Sequence, residues 1–346
     1  VASPEDPAER APVVPPASGP DGAPRIRRHR GRVTRAEFEA QVQATRADLT
    51  AQVRATRASL EATNDRINAR TGRNLLFAVS VGLLLGGVVL VSLVVVKQLF
   101  LVIAVALVAF TAYELATALR QAGRRVPRVG SVIAVVALMP ITYFGRPDGQ
   151  WLGLLGAMGF VALWRVVEQA LPARRTSARA LVGDIGSSVF LLGYVGLLGS
   201  FAVLLTAGDG GEWWTLAFLI LVVCCDTGAY VAGLNFGKHP MAPTISPKKT
   251  WEGFAGAVVA AVLAGILLSL FMIQQEWWFG VVLGLVIVVT ATLGDLAESL
   301  IKRDLGVKDI SSWLPGHGGF LDRLDSVLPS AAVAYALFLI VTGASS

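Results

Sequence analysis

Apolar residues run almost unbroken through nine stretches of the chain, near residues 75–96, 99–119, 129–145, 151–169, 180–206, 213–233, 253–273, 278–297 and 327–344. Each approaches the roughly 20 residues that a helix needs to cross a bilayer. The pattern therefore predicts an all-α, polytopic integral membrane protein with nine transmembrane helices over 75–344. Ahead of them, residues 1–33 form a Pro-rich basic tail, expected to be disordered because it buries too little apolar surface to offset chain entropy. From 34 to 70 Pro and Gly are absent, and Phe38, Val42, Leu49, Val53, Leu60 and Ile67 recur with a nearly helical period. That spacing predicts an amphipathic helix on the cytoplasmic side, with a thin apolar stripe and an Arg-rich polar face.

The polar connections between the runs are unequal in charge. With the amino terminus in the cytoplasm, the inner connections carry Arg120, Arg124, Arg125 and Arg128, then Arg174, Arg175 and Arg179, then Lys238, Lys248 and Lys249, then Lys302, Arg303, Lys308 and Arg323. The outer turns carry only Lys97 and Arg146. This asymmetry follows the positive-inside rule and places the carboxyl terminus outside. Trp213, Trp214, Trp277 and Trp278 fall at outer boundaries, as an interfacial aromatic belt would. The outer turns are too short for a catalytic domain, so any chemistry belongs to the long inner connections, 235–252 and 298–326.

Composition agrees with a membrane body: 54% of the 346 residues are apolar and 16% charged, with a mean hydropathy of +0.62. A water-soluble enzyme is not expected on this count. Residues 1–73 hold 13 basic and 9 acidic residues, giving +4 of the +6 net charge. These arginines come without aromatic or base-reading motifs, so anionic lipid headgroups rather than nucleic acid are the expected partners. Cys224 and Cys225 are adjacent in an apolar run and read as packing residues. The first apolar run begins near Leu75, so no cleavable signal peptide is expected.

Candidate chemistry concentrates between 294 and 326. A charge at the centre of a membrane helix costs about 2.5 to 3.5 kcal/mol on insertion scales, so carboxylates at such depth are candidates for function. On one helix Asp295, Ser299 and Lys302 lie at i, i+4 and i+7, with Glu298 at i+3, presenting carboxylate, hydroxyl and ammonium together. Asp322 and Asp325 give a second carboxylate pair. Between them Pro315-Gly316-His317-Gly318-Gly319 has the glycines of a loop that lets backbone approach an anion. His317 is read either as structural or as a contact to a phosphate oxygen. One His among several carboxylates suits Mg²⁺ or Mn²⁺ better than zinc.

A second candidate region starts at Asp226, placed by helical rise in the inner half of the bilayer. It is either hydrogen-bonded to a neighbouring helix or contributes to a metal or nucleotide site. Ser246-Pro247-Lys248-Lys249 reads as an N-cap serine, a first-turn proline and two lysines. Lysines oppose the helix dipole there, and become favourable where an anion sits on the free N–H groups. Attraction to lipid headgroups is the plainer account of the same lysines.

Ser299 to Arg303, Lys308-Asp309 and the run Pro315-Gly316-His317-Gly318-Gly319-Phe320-Leu321-Asp322-Arg323-Leu324-Asp325 resemble the signature of the phosphatidate cytidylyltransferases, the CDP-diacylglycerol synthases. Asp226 to Tyr230, Phe236 to His239 and Ser246 to Gly253 resemble further motifs of that family, in the same order. The resemblance covers 75–344. It implies a bacterial-type inner-membrane enzyme, homodimeric, that joins CTP and phosphatidic acid to give CDP-diacylglycerol and pyrophosphate with Mg²⁺ at the cytoplasmic face. It also implies Asp295 and Asp322 as main metal ligands with Asp226 nearby, Ser299 beside them, and phosphate contacts from Lys248, Lys249, Lys302, Arg303 and Arg323. Leu234 stands where relatives often carry a basic residue. A hydrophilic funnel, open to the cytoplasm and sideways to the inner leaflet, is expected.

Three other readings share parts of this pattern. A CTP-dependent lipid kinase, or a cytidylyltransferase for another lipid phosphate, would use similar groups. A CDP-alcohol phosphotransferase would need an Asp-Gly run that the pairs at 21, 148 and 209 do not begin. A transporter would place charges along a path near the bilayer midplane, whereas here they cluster at one face.

Overall fold

Where water is absent, a backbone satisfies its polar groups within its own segment, which makes helices of long apolar runs. The computed structural model describes residues 86–172, 175–306 and 319–343. These form α1 (Gly86–Val95), α2 (Lys97–Gln121), α3 (Arg128–Glu168), α4 (Ala178–Ala207), α5 (Gly211–Phe236), strands β1 (Pro240–Ala242) and β2 (Ser246–Thr250), α6 (Trp251–Phe271), α7 (Trp277–Asp304), α8 (Leu321–Leu324) and α9 (Val327–Thr342). The chain divides into two units, Val1–Thr63 and Asn64–Ser346, and every described residue belongs to the second. The expected tail (1–33) and amphipathic helix (34–70) lie outside the described residues.

By length and composition, seven helices among the described residues are fit to cross a membrane, rather than the nine expected. The difference has two sources. The first apolar run is described only from Gly86. The runs 129–145 and 151–169 form the single element α3, broken at Arg146, whose φ of 56° and ψ of −150° are not helical. A Cβ on Gly149 would lie 2.5 Å from the Ile141 carbonyl oxygen, one on Gly153 2.9 Å from Ile141 Cγ2, and one on Gly130 3.1 Å from the Trp164 ring. Contacts between 130 and 164, and between 141 and 149 or 153, run antiparallel. α3 is a helical hairpin.

Helix α4 contains a π-helical stretch, Leu192–Leu197, the kind of irregularity that recurs at functional sites. The fold is not purely helical, because β1 and β2 pair antiparallel as a short ribbon between α5 and α6. Of the four tryptophans expected at a boundary, Trp213, Trp277 and Trp278 are exposed, while Trp214 is buried against Phe279 and Phe338. Trp214 is a core residue. Cys225 is buried and Cys224 half-buried, both as free thiols, consistent with packing roles.

Two apolar cores divide the described helices. One is built by α2, α3 and α4, with Ala112, Leu115, Leu138 and Leu192 fully buried. The other gathers the end of α4 with α5, α6, α7 and α9 around Phe218, Leu221, Ala261 and Ile287. Within the second, α5, α6 and α7 approach backbone to backbone. A Cβ on Gly228 would lie 2.7 Å from the Gly256 carbonyl oxygen, and one on Gly284 2.6 Å from that of Ala261. Gly265 and Gly280 face each other more closely still. In lipid, where apolar side chains gain nothing by leaving the solvent, such close approach supplies the packing energy.

Candidate active site

The second core carries a polar cavity of about 460 Å³ at one end, walled by α5, β2, α6, α7 and the start of the last helical pair. Four carboxylates line it: Asp226 from α5, Asp295 from α7, Asp322 from α8 and Asp325 just beyond. Lys248, Lys249 and Arg323 line it too. The approach of the last segment depends on Gly294, whose missing side chain lets the Asp325 backbone sit directly on α7. A hydrogen bond of 3.1 Å between Thr290 and Ser330 hydroxyls holds the same seam.

The lysines reach the cavity by a route that differs from the expected one. Ser246 is not an N-cap, since residues 246–250 are extended and α6 begins at Trp251. Thr250 is the cap, its hydroxyl accepting the Gly253 N–H at 3.1 Å. The reason is tertiary. Glu252, in the first turn of α6, accepts N–H groups of Lys238 and His239 at 3.1 and 3.2 Å and meets the His239 ring nitrogen at 2.5 Å. The Trp251 N–H donates to the His239 carbonyl at 3.0 Å. These contacts tie the end of α5 to the start of α6 and close the ribbon, so the two lysines sit on a strand rather than in a helical turn.

Two ion-pair groups organise the carboxylates. Lys249 Nζ lies 2.5 Å from Asp295 Oδ2. Lys302 Nζ lies 2.7 Å from Glu298 Oε1 and 2.5 Å from Asp322 Oδ1, bridging α7 to α8. Neither of those two carboxylate oxygens has a hydrogen bond of good geometry, although both are buried. Both oxygens share the one Lys302 ammonium. Asp322 Oδ2 accepts the Gly319 N–H at 3.3 Å. Asp325 is buried and accepts the Ser326 N–H at 2.7 Å.

The sequence expectations thus separate into groups. Asp226, Asp295, Asp322, Lys248, Lys249 and Arg323 come together, and Lys302 joins them through Asp322. Gly319 contacts Asp322 by its backbone. Ser299 and Ser246 are half-buried and do not line the cavity. Arg303 points to the ribbon, its Nε 3.5 Å from the Ile245 carbonyl oxygen. Lys308, His317 and Gly318 lie outside the described residues.

Sequence reasoning missed Glu114. This carboxylate on α2 is 2% exposed and accepts the Leu321 N–H at 2.9 Å, while a Cβ on Gly319 would meet it at 2.8 Å. It therefore anchors the backbone on which Asp322 stands. Its lone position in an otherwise apolar run was the available signal. Tyr194, on the π-helical stretch, was also missed; its buried hydroxyl has no hydrogen-bond partner among the described residues.

Among the described residues no three His, Cys, Asp or Glu side chains form a ready-made metal cage. Mg²⁺ seldom uses one: it commonly binds one or two carboxylates, and substrate phosphates and water complete the octahedron. Asp226, Asp295 and Asp322, carboxylates lining one cavity, are a hard-oxygen donor set of that kind. The residues present fit such an ion.

Residues 77–341 match a family model described as the cytidylyltransferase family. A phosphatidate cytidylyltransferase of Mycobacterium bovis is 39% identical over 272 residues, 77% of this chain and 89% of the relative. One from Mycobacterium leprae is 39% identical over 280 residues, 79% of this chain and 90% of the relative. Another, from Staphylococcus epidermidis, is 33% identical over 204 residues, 59% of this chain and 75% of the relative.

Proposed function

Because the chain belongs to the cytidylyltransferase family, we propose that it is a phosphatidate cytidylyltransferase, transferring CMP from CTP to phosphatidic acid. A phosphatidate oxygen attacks the α-phosphorus of CTP, the bond to the β-phosphate oxygen breaks, and CDP-diacylglycerol and pyrophosphate result. The nucleophile is already anionic and needs little help from a base. The obstacle is repulsion between two polyanions, and fixed positive charge lowers it. The observation that carries this reading is one cavity in which Lys248, Lys249 and Arg323 face Asp226, Asp295, Asp322 and Asp325.

Asp295 and Asp322, with Asp226 beside them, would hold Mg²⁺, or Mn²⁺ in its place. The ion supplies Lewis-acid neutralisation of phosphate charge when bound. Lys249 and Lys302 pair with Asp295 and Asp322, which keeps these acids aimed before substrates arrive. The same ammonium groups, with Lys248 and Arg323, are placed to hold phosphate oxygens and the departing pyrophosphate.

The finer topology belongs to the same proposal: nine spans, amino terminus and active site on the cytoplasmic side of a bacterial-type inner membrane, carboxyl terminus outside, and a homodimer as the resemblance implies. In its favour, the α3 hairpin supplies two antiparallel passes. Lys97 and Glu212 pair at 2.6 Å where two predicted outer turns meet, and Arg124 lies beside the carboxyl-terminal end of α7. The arginines after α2 and the cationic cavity thus share one end, as the positive-inside rule demands.

The test is an assay of the purified full chain with labelled CTP and phosphatidic acid, resolving lipid and phosphate products. CDP-diacylglycerol and pyrophosphate in equal amounts are expected. Release of CDP with a phosphorylated lipid would instead identify a CTP-dependent lipid kinase.

A further inference from the structure

Helix α7 has a second cavity on its other side. About 720 Å³ in volume, it is bounded by the end of α2, the first turns of α4 and the last turns of α7. Asp295 and Asp304 are nine residues apart, a half-turn out of phase on a helix of 3.6 residues per turn, so the two cavities occupy opposite faces of α7. The wall is apolar, formed by Leu119, Phe190, Leu300 and Ile301, and both Phe190 and Leu300 are exposed.

At its rim stands Arg124. Its guanidinium lies over Gly183, where an added Cβ would sit 2.5 Å from Nη1. Among the described residues that guanidinium has no hydrogen-bond or ion-pair partner. The backbone next to it is held in place. The neighbouring Arg125 N–H donates to Asp184 Oδ1 at 2.8 Å, while Arg165 donates to Asp184 Oδ2 from Nε at 3.1 Å and from Nη2 at 2.8 Å. This buried clamp fixes the backbone beside Arg124, whose exposed guanidinium reaches over Gly183 at the mouth of an apolar groove. Asp304 and Ser187 line the same groove. Asp304 repels phosphate from its own side and offers an acceptor to a hydroxylated headgroup.

We propose that this groove binds an anionic glycerophospholipid of the surrounding leaflet, with its phosphate on Arg124 and an acyl chain along Phe190 and Leu300. Basic pockets between membrane helices have this use. The lipid is not the reacting one, because α7 separates it from Asp295 and Lys249. It braces the helix that carries Asp295.

The test uses the full-length protein in phosphatidylcholine nanodiscs doped with a phosphatidylglycerol bearing a photoreactive acyl chain, with cross-links mapped by mass spectrometry. Labelling is expected within 183–190 and 300–305, lowered about fivefold or more in Arg124→Gln. Gly183→Leu, which fills the place of the guanidinium, is expected to lower it similarly, while Asp295→Asn leaves it unchanged. Labelling elsewhere, labelling equal in both groove variants and the wild type, or equal competition by excess phosphatidylcholine would overturn the proposal. Competition by millimolar glycerol 3-phosphate would overturn the lipid as the source of the phosphate. The wild-type cross-link map decides the matter even if a variant fails to fold.

Discussion

Arg165 with Asp184, and Lys249 and Lys302 with Asp295 and Asp322, are acid–base groups packed among apolar helices, yet they are built differently. In the first, side chains are 0% and 5% exposed, and both oxygens of Asp184 accept hydrogen bonds. In the second, Lys249 and Asp295 are 21% and 38% exposed, and Asp322 Oδ1 meets Lys302 without hydrogen-bond geometry. In the first pair both carboxylate oxygens are taken, although Arg165 Nη1 is buried without a hydrogen-bond partner among the described residues. The second is partly open to solvent, as the proposed binding of phosphate and metal requires. Both groups set charge among apolar helices, and the exposure of their side chains tells them apart.

The contrast breaks most sharply under substitution. Asp295→Asn and Asp322→Asn are each expected to cut CTP-dependent CDP-diacylglycerol formation by about 10³-fold, the scale of losing a principal electrostatic group, with thermal midpoints close to wild type. Wild-type turnover in either variant would remove the metal assignment. Asp184→Asn is expected to do the opposite: it leaves Arg165 buried and uncompensated, at a cost of about 3–5 kcal/mol in stability. Activity per folded molecule, measured beside a melting curve, should remain near normal; a specific catalytic loss would erase the distinction drawn here.

Glu114 sharpens the comparison, being closed like Asp184 but joined to the site. Glu114→Ala is expected to lower kcat by about 10- to 100-fold with KM for CTP little changed, as supporting partners of ligand residues do, and Glu114→Gln, which keeps an acceptor for Leu321, should recover most of it. Equal defects in both variants would point to general destabilisation. Deletion of 1–33, the smallest effect expected, should leave the specific activity of purified enzyme unaltered; a large loss would show a role for that tail.

Much of this was legible in one dimension. Hydropathy located the described helices, and the break between 145 and 151 anticipated the turn of the α3 hairpin. Carboxylates spaced along one helical face led to Asp295, and family-like motifs led to Asp226 and Asp322. What escaped reading was decided by partners distant in sequence. Ser246 and Pro247 carry good helix-start chemistry, and it lost to the contacts of Glu252 with His239, which no local pattern encodes. Trp214 has a boundary residue's position and a core residue's neighbours, Phe279 and Phe338. Glu114 finds its partner 207 positions away.

The glycine seam joining α5, α6 and α7 has a consequence for how the enzyme meets different bilayers. Helices whose backbones touch cannot slide or splay independently, so a thinner or thicker hydrocarbon layer is accommodated by tilting the three as one plank. The spacing between the Lys249 ammonium and the Asp295 carboxylate travels with that plank, and the geometry of the proposed site is thereby insulated from membrane thickness.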